Sequence, residues 1–254
     1  MSNTKSTLSN RIALVTGASK GIGAAIARHL GHAGATVVVN YATSSAGADK
    51  TVSQIVSEGG QAIAIQGDFS NLEDITRTFA EIKQKYGKLD ILVNNAGVFS
   101  FGPVDDITPE EFHRQFNLNV FGLLFATREA IKLIGPEGGS IINVGSVVGS
   151  MPPPFSSIYS ATKGAVDNLT ISLSKELGAR KIRVNGLNPG MVVTEGAQAA
   201  GALEGPFHDI VLKGTPLGRI GLPDDIGPVA VFLASDDARW VTGQRILVSG
   251  GHTL

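Results

Sequence analysis

The stretch IALVTGASKGIG, residues 12–23, decides the fold of this chain. It opens with an apolar run of the length expected for a buried strand, which we place at Ile12–Thr16. Glycines follow at positions 17, 21 and 23, and apolar residues then recur with helical spacing from Ile22. A glycine-rich turn between a strand and a helix gathers backbone N–H groups at the positive end of the helix dipole, where a pyrophosphate can bind.

The glycine spacing leaves two interpretations open. Gly-x3-Gly-x-Gly differs from the Gly-x-Gly-x2-Gly of the usual dinucleotide fingerprint, and the turn lacks the Gly-Lys-Ser/Thr of a nucleoside-triphosphate loop. One interpretation is therefore a phosphate-binding turn. The other is a tight turn that only permits close packing.

Short apolar runs alternate with segments of helical spacing along the whole chain, which is typical of a parallel sheet with helices on both faces. The predicted strands are Ile12–Thr16, Thr36–Asn40, Ala62–Gln66, Ile91–Asn94, Ser140–Val144, Arg183–Leu187 and Ile246–Val248. The predicted helices are Ile22–Leu30, Ala46–Glu58, Leu72–Tyr86, Glu110–Leu133, Tyr159–Leu177 and Asp224–Leu233. We therefore expect one α/β domain over residues 1–254, with a doubly wound, seven-stranded parallel sheet.

The segment from Met191 to Gly221 does not fit this alternation. It is rich in glycine and alanine, weakly periodic, and interrupted by Pro206 and Pro216. A long stretch without firm structure in a compact domain is usually functional. We predict a substrate lid over the carboxyl ends of the strands, where α/β sheets bind ligands.

Composition excludes several classes of function. The chain has no cysteine, so disulfides, iron–sulfur clusters, Cys-ligated zinc and thiol nucleophiles are absent. With 21 basic and 22 acidic residues, the chain has no net field that would hold nucleic acid or an anionic membrane. Two histidines one turn apart, His29 and His32, are better explained as polar surface residues than as zinc ligands, so we predict no metal site.

Targeting segments are not expected. No run of about 18 apolar residues could span a bilayer, and Met1 to Asn10 holds no apolar stretch of signal-peptide length. The serine-rich, acid-free start is similar to a transit peptide, but a strand that begins at Ile12 leaves too little to cleave. We expect a soluble, cytoplasmic protein.

Three residues suggest acid–base chemistry. Tyr159 and Lys163 lie one turn apart on a predicted helix and share a face. A phenol has a pKa near 10, and a cation within ~4 Å favours the phenolate by up to ~4 kcal/mol. We therefore expect Lys163 to lower the pKa of Tyr159 towards the range of a general acid–base catalyst. Ser146 can hydrogen-bond a substrate oxygen beside the tyrosine hydroxyl. The alternative is an ordinary surface pair.

At this point nearly the whole chain resembles the single-domain branch of the short-chain dehydrogenase/reductase family. The matching motifs are the turn from Thr16 to Gly23, Asn94-Asn95-Ala96-Gly97, Asn119, Ser146, Tyr159-x3-Lys163, Asn188-Pro189-Gly190 with Thr194, and Gly250-Gly251. One departure is Ser249, where many relatives have Asp, and this bears on subunit packing.

The resemblance implies a Rossmann fold and hydride transfer between a nicotinamide and a carbonyl carbon. Tyr159 would give the proton to the carbonyl oxygen, and Lys163 would also contact the nicotinamide ribose. Asn119 would order a water that links Lys163 to solvent. The catalytic residues are thus Asn119, Ser146, Tyr159 and Lys163.

The same resemblance implies a set of cofactor-binding residues around the carboxyl ends of the strands. Besides Tyr159 and Lys163, they are Gly17, Ser19, Lys20, Gly21, Ile22, Gly23, Asn40, Tyr41, Ala42, Thr43, Ser44, Asp68, Phe69, Asn95, Ala96, Gly97, Pro189, Gly190, Val192 and Thr194. Asp68 would accept from the adenine amino group, or merely cap the helix that begins near Leu72. Pro189-Gly190 and Thr194 would bind the nicotinamide carboxamide, or merely form a turn.

The predicted cofactor is NADPH/NADP+ rather than NADH. NAD-preferring relatives place a carboxylate after the second strand, against the ribose 2′-OH. Here Tyr41 takes that position and no acid follows. Lys20, Thr43 and Ser44 can bind a 2′-phosphate. The alternative for Lys20 is a solvated surface lysine.

The predicted substrate walls are Val147 to Phe155, Val98 to Phe101, and Glu195 to Leu212, and their apolar side chains favour a neutral small-molecule ketone. Alternatives are a 3-oxoacyl-[acyl-carrier-protein] reductase, docked through Arg180, Lys181 and Arg183, and a sugar or polyol dehydrogenase. A non-enzymatic alternative is an NADP(H)-sensing or scaffold protein. The resemblance also implies a homotetramer.

Overall fold

Seven parallel strands form one sheet in the order β3-β2-β1-β4-β5-β6-β7 in the computed structural model, which describes residues 7–252. The strands are β1 (Ile12–Val15), β2 (Thr36–Tyr41), β3 (Gln61–Gln66), β4 (Ile91–Asn94), β5 (Gly139–Val144), β6 (Ile182–Pro189) and β7 (Arg245–Val248). The predicted doubly wound α/β fold is confirmed. The first six residues of the N-terminal segment discussed above lie outside the described range.

Nine α-helices lie in the described part of the chain. They are α1 (Gly21–His32), α2 (Ser45–Ser57), α3 (Leu72–Tyr86), α4 (Pro109–Phe116), α5 (Leu123–Ala130), α6 (Ser157–Leu177), α7 (Glu195–Ala199), α8 (Gly205–Lys213) and α9 (Pro223–Ala234). Short 3-10 turns occur at Val104–Asp106, Val147–Gly149, Gly178–Arg180 and Asp236–Ala238. No helix within residues 7–252 is long and apolar enough to cross a membrane.

The sheet is buried on both faces, as its continuous apolar strands predict. In β1, Ala13 and Val15 pack into one core cluster, with Ile26 and Leu30 of α1. The alternate residues of β1 pack into a second cluster on the other face, with α3 and α5. The chain order of the strands reverses between β1 and β4, so their carboxyl ends open a crevice at this point.

The predicted single helix over residues 110–133 is wrong. It is divided into α4, a π-helical turn at Asn117–Gly122, and α5. At Gly122 the turn rests on the backbone of Phe69, where a Cβ would overlap the Phe69 carbonyl oxygen. Tertiary contact therefore overrides the regular helical spacing. The other predicted boundaries differ from the observed ones by at most two residues.

The expectation that residues 191–221 lack firm structure is also wrong, because they contain α7 and α8. Thr194 starts α7, since its hydroxyl accepts from the Ala197 N–H at 3.1 Å. The two ends of the segment are joined, because the Gly221 N–H donates to the Met191 carbonyl at 3.1 Å and Val193 N–H donates to Gly221 at 2.9 Å. The segment thus leaves the sheet after β6 and returns to the same place, where its two ends are hydrogen-bonded to each other.

Candidate active site

The glycine-rich turn after β1 has no room for side chains. Gly17 has a φ of 62°, and a Cβ there would lie 2.9 Å from the Ala96 Cα. At Gly23 a Cβ would lie 2.6 Å from the Gly17 carbonyl oxygen. Helix α1 begins at Gly21, and the preceding residue, Lys20, provides no side-chain cap. Its first N–H groups therefore have no side-chain cap and are available to an anion.

Two asparagines fix this turn. Asn40, buried at the end of β2, accepts from the Gly17 N–H at 3.1 Å and donates to the Gly67 carbonyl at 3.0 Å. Asn95 donates to the Thr16 carbonyl at 2.8 Å and to the Gly17 carbonyl at 3.1 Å. The shape of the turn is therefore set by side chains from the neighbouring strands.

A groove of about 330 Å³ runs from this turn across the sheet edge. Most of the predicted cofactor residues line it: Gly17, Ser19, Lys20, Gly21, Ile22, Gly23, Asn40, Ala42, Thr43, Ser44, Asp68, Phe69, Asn95, Ala96, Gly97 and Thr194. Tyr41 does not, because its side chain packs against the core. Pro189 ends β6, while Gly190 and Val192 line the neighbouring cleft.

Polar groups at the β2 end of the groove suit a phosphate. Lys20 and Thr43 are exposed, and Lys20 forms no ion pair with any residue the structure describes. The Ser44 hydroxyl caps α2 by accepting from the Gly47 N–H at 3.3 Å, which leaves its proton free to donate. Glu195, which was predicted as part of a substrate wall and not as a cofactor residue, also lines the groove.

Asp68 does not cap α3, so that alternative is wrong. The cap is Asn71, which accepts from the Glu73 and Asp74 N–H groups. Asp68 instead accepts from the backbone and hydroxyl of Ser70 through one carboxylate oxygen, both at 2.8 Å.

The π-helical turn presents Asn119 to the site. Its Nδ2 donates to the Val98 carbonyl at 2.8 Å and to Thr162 Oγ1 at 3.0 Å. Its Oδ1 accepts from the Val98 N–H at 2.9 Å. Irregular π turns within helices often occur at functional sites, because they re-aim one side chain.

Ser146 follows β5 and faces α6. The 3-10 turn Val147–Gly149 packs on α6 so closely that a Cβ at Gly149 would lie 2.9 Å from the Lys163 carbonyl carbon. This contact sets Ser146 beside Tyr159, and hydrogen bonding to Ser146 acts to lower the pKa of the Tyr159 phenol.

The expected effect of Lys163 on Tyr159 is wrong for this arrangement. Burial raises the pKa of Tyr159 to about 12, against the smaller effect of Ser146. The Lys163 ammonium lies 5.7 Å from the centre of the Tyr159 ring and donates to the Val144 carbonyl at 2.9 Å. The cation thus faces the phenol ring and the end of β5. A phenol with this pKa stays protonated at neutral pH and can serve as an acid.

The pKa of Lys163 is also shifted from its ordinary value. Burial lowers its pKa to about 8, and the carboxylate of Asp167 acts in the opposite direction. Asp167 lies one turn further along α6, is 3% exposed, and accepts from Asn188 Nδ2 at 2.9 Å. Asp167 is not among the residues predicted from the sequence, although its i+4 spacing from Lys163 was a usable signal.

A second cleft of about 180 Å³ adjoins Ser146 and Tyr159. Its walls come from all three predicted segments and include Phe99, Phe101, Val147, Val148, Pro153, Ala197, Ala202, Phe207 and Val211. The rings of Phe99, Phe101 and Tyr159 form a triangle with centroid distances of 5.8 to 5.9 Å. His252, which is not among the predicted site residues, also lines this cleft.

No group of three or more potential metal ligands occurs in residues 7–252. His29 instead lies 3.3 Å from the Asp224 carboxylate, which joins α1 to α9. His32 is exposed.

Comparisons with known proteins extend over nearly the whole chain. Residues 17–253 match a family model described as enoyl-(acyl carrier protein) reductase. An uncharacterized oxidoreductase of Methylorubrum extorquens is 52% identical over 246 residues, which cover 97% of this chain and 99% of the relative. A versicolorin reductase of Emericella nidulans is 42% identical, with 96% of each chain covered. Other relatives at 40 to 42% identity are named short-chain dehydrogenases.

Among solved structures, the angucycline C-6 ketoreductase LanV with bound NADP superimposes with a TM-score of 0.90. It is 37% identical, and the match covers 97% of this chain and 96% of that one.

Proposed function

Because the chain belongs to the short-chain dehydrogenase/reductase family of oxidoreductases, we propose that it is an NADPH-dependent reductase of ketones carried on planar, aromatic molecules. The observation that carries the proposal is the position of Tyr159. Its hydroxyl neighbours Ser146, and its ring closes an aromatic triangle in the cleft beside the anion-binding groove.

The groove fits a dinucleotide. Its crowded glycines leave backbone N–H groups at the start of α1 free for a pyrophosphate, and Lys20, Thr43 and Ser44 suit a 2′-phosphate. The NADP bound to the similar ketoreductase supports the same preference. When bound, NADPH would supply the hydride.

The protein residues supply the proton and the orientation. Ser146 holds the carbonyl oxygen beside Tyr159, whose hydroxyl donates to the developing alkoxide. An alkoxide is far more basic than a phenolate, so a Tyr159 pKa of about 12 does not prevent this transfer. The Lys163 cation then faces the phenolate ring, and Asn119 holds the adjoining Val98 backbone in place. We propose that Asn119 also orders a water that returns the proton through Lys163.

The walls of the cleft support an aromatic substrate. Aromatic rings favour offset or edge contacts at centroid distances of 4.5 to 7 Å, which Phe99 and Phe101 already make with Tyr159. A flat substrate ring can take the same contacts. The names of the similar versicolorin reductase and angucycline ketoreductase support this substrate class.

Carrier-bound substrates are the second candidate, favoured by the description of the matching family model. Two of the three basic residues that prompted this alternative already bind the backbone of this chain. Arg180 and Arg183 donate to backbone carbonyls of Ile131, Leu233 and Ser235. They lie at the amino end of β6, while the cleft lies at its carboxyl end, roughly 20 Å away at ~3.3 Å per residue. A free substrate is therefore our proposal.

The test is consumption of NADPH, and separately of NADH, with 1-tetralone, a free 3-oxoester and a carrier-bound 3-oxoacyl thioester. We expect 1-tetralone with NADPH to react best. Preference for the carrier-bound thioester would favour the second candidate, whereas faster oxidation of polyols with NADP+ would indicate a sugar dehydrogenase. Tight NADPH binding without turnover of any substrate would indicate a sensing protein. Homotetramer assembly and a cytoplasmic location also stay predictions, and light scattering after size exclusion tests the first.

A further inference from the structure

His252 is a buried histidine whose ring nitrogens have no protein partner. The residue is 3% exposed, and neither Nδ1 nor Nε2 forms a hydrogen bond with any part of the chain that the structure describes. Buried polar side chains in native proteins nearly always have a hydrogen-bond partner, because an unpaired one loses its hydration without compensation. An unpaired imidazole in a binding cleft is thus available to pair with a polar group of a ligand.

The backbone holds this histidine firmly. Its N–H donates to the Ser249 carbonyl at 3.1 Å, and the Ser249 hydroxyl donates back to the His252 carbonyl at 3.2 Å. The ring lies against Gly214, just after α8, where a Cβ would come within 3.1 Å of Nδ1. The Leu217 N–H donates to the Gly250 carbonyl at 3.1 Å, which joins the same turn to the loop between α8 and α9. The imidazole is therefore pre-positioned and not free to turn to solvent.

The position of the His252 ring in the cleft indicates which part of a substrate it can bind. Four side chains among those lining the cleft carry polar groups: Ser146, Tyr159, Thr194 and His252. Ser146 and Tyr159 act on the reacting carbonyl, while Thr194 also lines the cofactor groove and belongs to the predicted nicotinamide carboxamide site. His252 is then the group left to recognise a second polar substituent of the substrate, away from the carbonyl that is reduced.

We propose that His252 is a specificity-determining residue that hydrogen-bonds a hydroxyl group carried on the aromatic ketone. The proposal rests on the proposed function. A neutral imidazole offers one donor and one acceptor, and a phenolic hydroxyl can pair with either nitrogen, whichever tautomer is present. A site built to pair a substrate hydroxyl discriminates strongly against the analogue that lacks it, because the buried partner is then left alone.

The test compares 1-tetralone with its 5-, 6- and 7-hydroxy derivatives, using wild type, His252→Phe and His252→Gln with NADPH. Wild type should turn over at least one hydroxy derivative with a kcat/KM about tenfold above that of 1-tetralone, the effect of one buried hydrogen bond. His252→Phe should remove this preference, because its kcat/KM should fall about tenfold more for the hydroxy derivative than for 1-tetralone. His252→Gln, which keeps a donor and an acceptor, should restore part of it.

The control is His32→Phe, which changes an exposed histidine of α1 and should leave the preference intact. Unchanged circular dichroism and unchanged NADPH binding in His252→Phe show that the variant is folded. An equal loss for every ketone, or no loss, would overturn the role of His252 and assign the residue to packing alone. No preference among the ketones in wild type would overturn it too. Failure of wild type to reduce 1-tetralone at all would instead contradict the proposed function.

Discussion

Asn119 and Val98 are joined by two antiparallel hydrogen bonds, one from the Val98 N–H to the side-chain oxygen at 2.9 Å and one from the side-chain amide to the Val98 carbonyl at 2.8 Å. An asparagine side chain thus imitates one step of a strand pairing. Because the next residue is Phe99, which contacts Tyr159, the clamp connects the π-helical turn to the ring that faces the reaction.

Asn119→Ala should weaken both the fold and the reaction. It leaves two part-buried backbone groups of Val98 and the Thr162 hydroxyl without this partner, which costs about 2 kcal/mol of unfolding free energy. We also expect kcat/KM to fall tenfold or more as Phe99 is released. Urea denaturation and steady-state kinetics measure the two effects. Asn168→Ala, at an exposed site on α6, should stay within about 0.5 kcal/mol of wild type. Equal behaviour of the two variants would contradict the role of the clamp.

Lys20→Ala should weaken NADPH binding and spare NADH. Lys20 lies in the groove near Thr43 and forms no ion pair with the described residues, so its charge is available to a 2′-phosphate. We expect KM for NADPH to rise about tenfold, within the range of a hydrogen bond to a charged group, and KM for NADH to change by less than twofold. Lys83→Ala on the exposed face of α3 is the matched control. Equal loss with both cofactors would contradict this assignment.

The pH dependence should follow Lys163. Burial lowers its pKa from 10.5 to about 8, so the cation is present below pH 8 and is lost as the pH rises through it. We therefore expect kcat/KM for NADPH to be level up to about pH 8 and to fall above it, with the loss of one proton. Since the Asp167 carboxylate raises this pKa, Asp167→Asn should move the fall to lower pH. A profile that is flat to pH 10, or one that moves upward in the variant, would contradict this account.

Glu111→Gln should remove part of the acid sensitivity of the fold. Arg114, Ser100 and Gln115 all donate to Glu111, and its pKa is lowered to about 2, mainly by Arg114 and Ser100. A lowered carboxyl pKa stabilises the fold above the ordinary value of 4.5, and this stabilisation is lost as the pH falls from there towards 2.

The measurement is the urea midpoint at pH 5 and pH 3. Wild type should lose more stability over this interval than Glu111→Gln, although solvent screening keeps the difference small. The control is Glu110→Gln, which changes the exposed neighbour of Glu111 and should behave as wild type does. If Glu111→Gln lost as much stability between pH 5 and pH 3 as wild type does, the hydrogen bonds to Glu111 would not be stabilising.

Local sequence predicts well the strands, turns and helix faces that carry the site. The apolar run before Gly17 and the spacing of the glycines are properties of neighbouring residues, so the turn and the parallel strands follow from pattern alone. The order of the strands in the sheet was not predicted. Tyr159 and Lys163 were likewise placed on one helix face by their spacing.

Contacts between distant parts of the chain could not be predicted in the same way. The break in residues 110–133 depends on Gly122 meeting Phe69, and the pKa of Tyr159 depends on how deeply the surrounding segments bury it. His252 could not be assigned to the cleft from the sequence, because it lies there only as a result of the C-terminal turn packing against the end of α8. Each of these effects arises from packing, which sequence spacing does not encode.

The most direct test of the central claim is the rate of NADPH oxidation with 1-tetralone by wild type and by Tyr159→Phe, with NADPH affinity measured in parallel by fluorescence. Removal of one hydroxyl leaves the aromatic triangle intact. We predict unchanged NADPH affinity and a loss of kcat of at least a hundredfold, in the range typical of a lost general acid. Turnover in Tyr159→Phe within tenfold of wild type would contradict the assignment of Tyr159 as the proton donor.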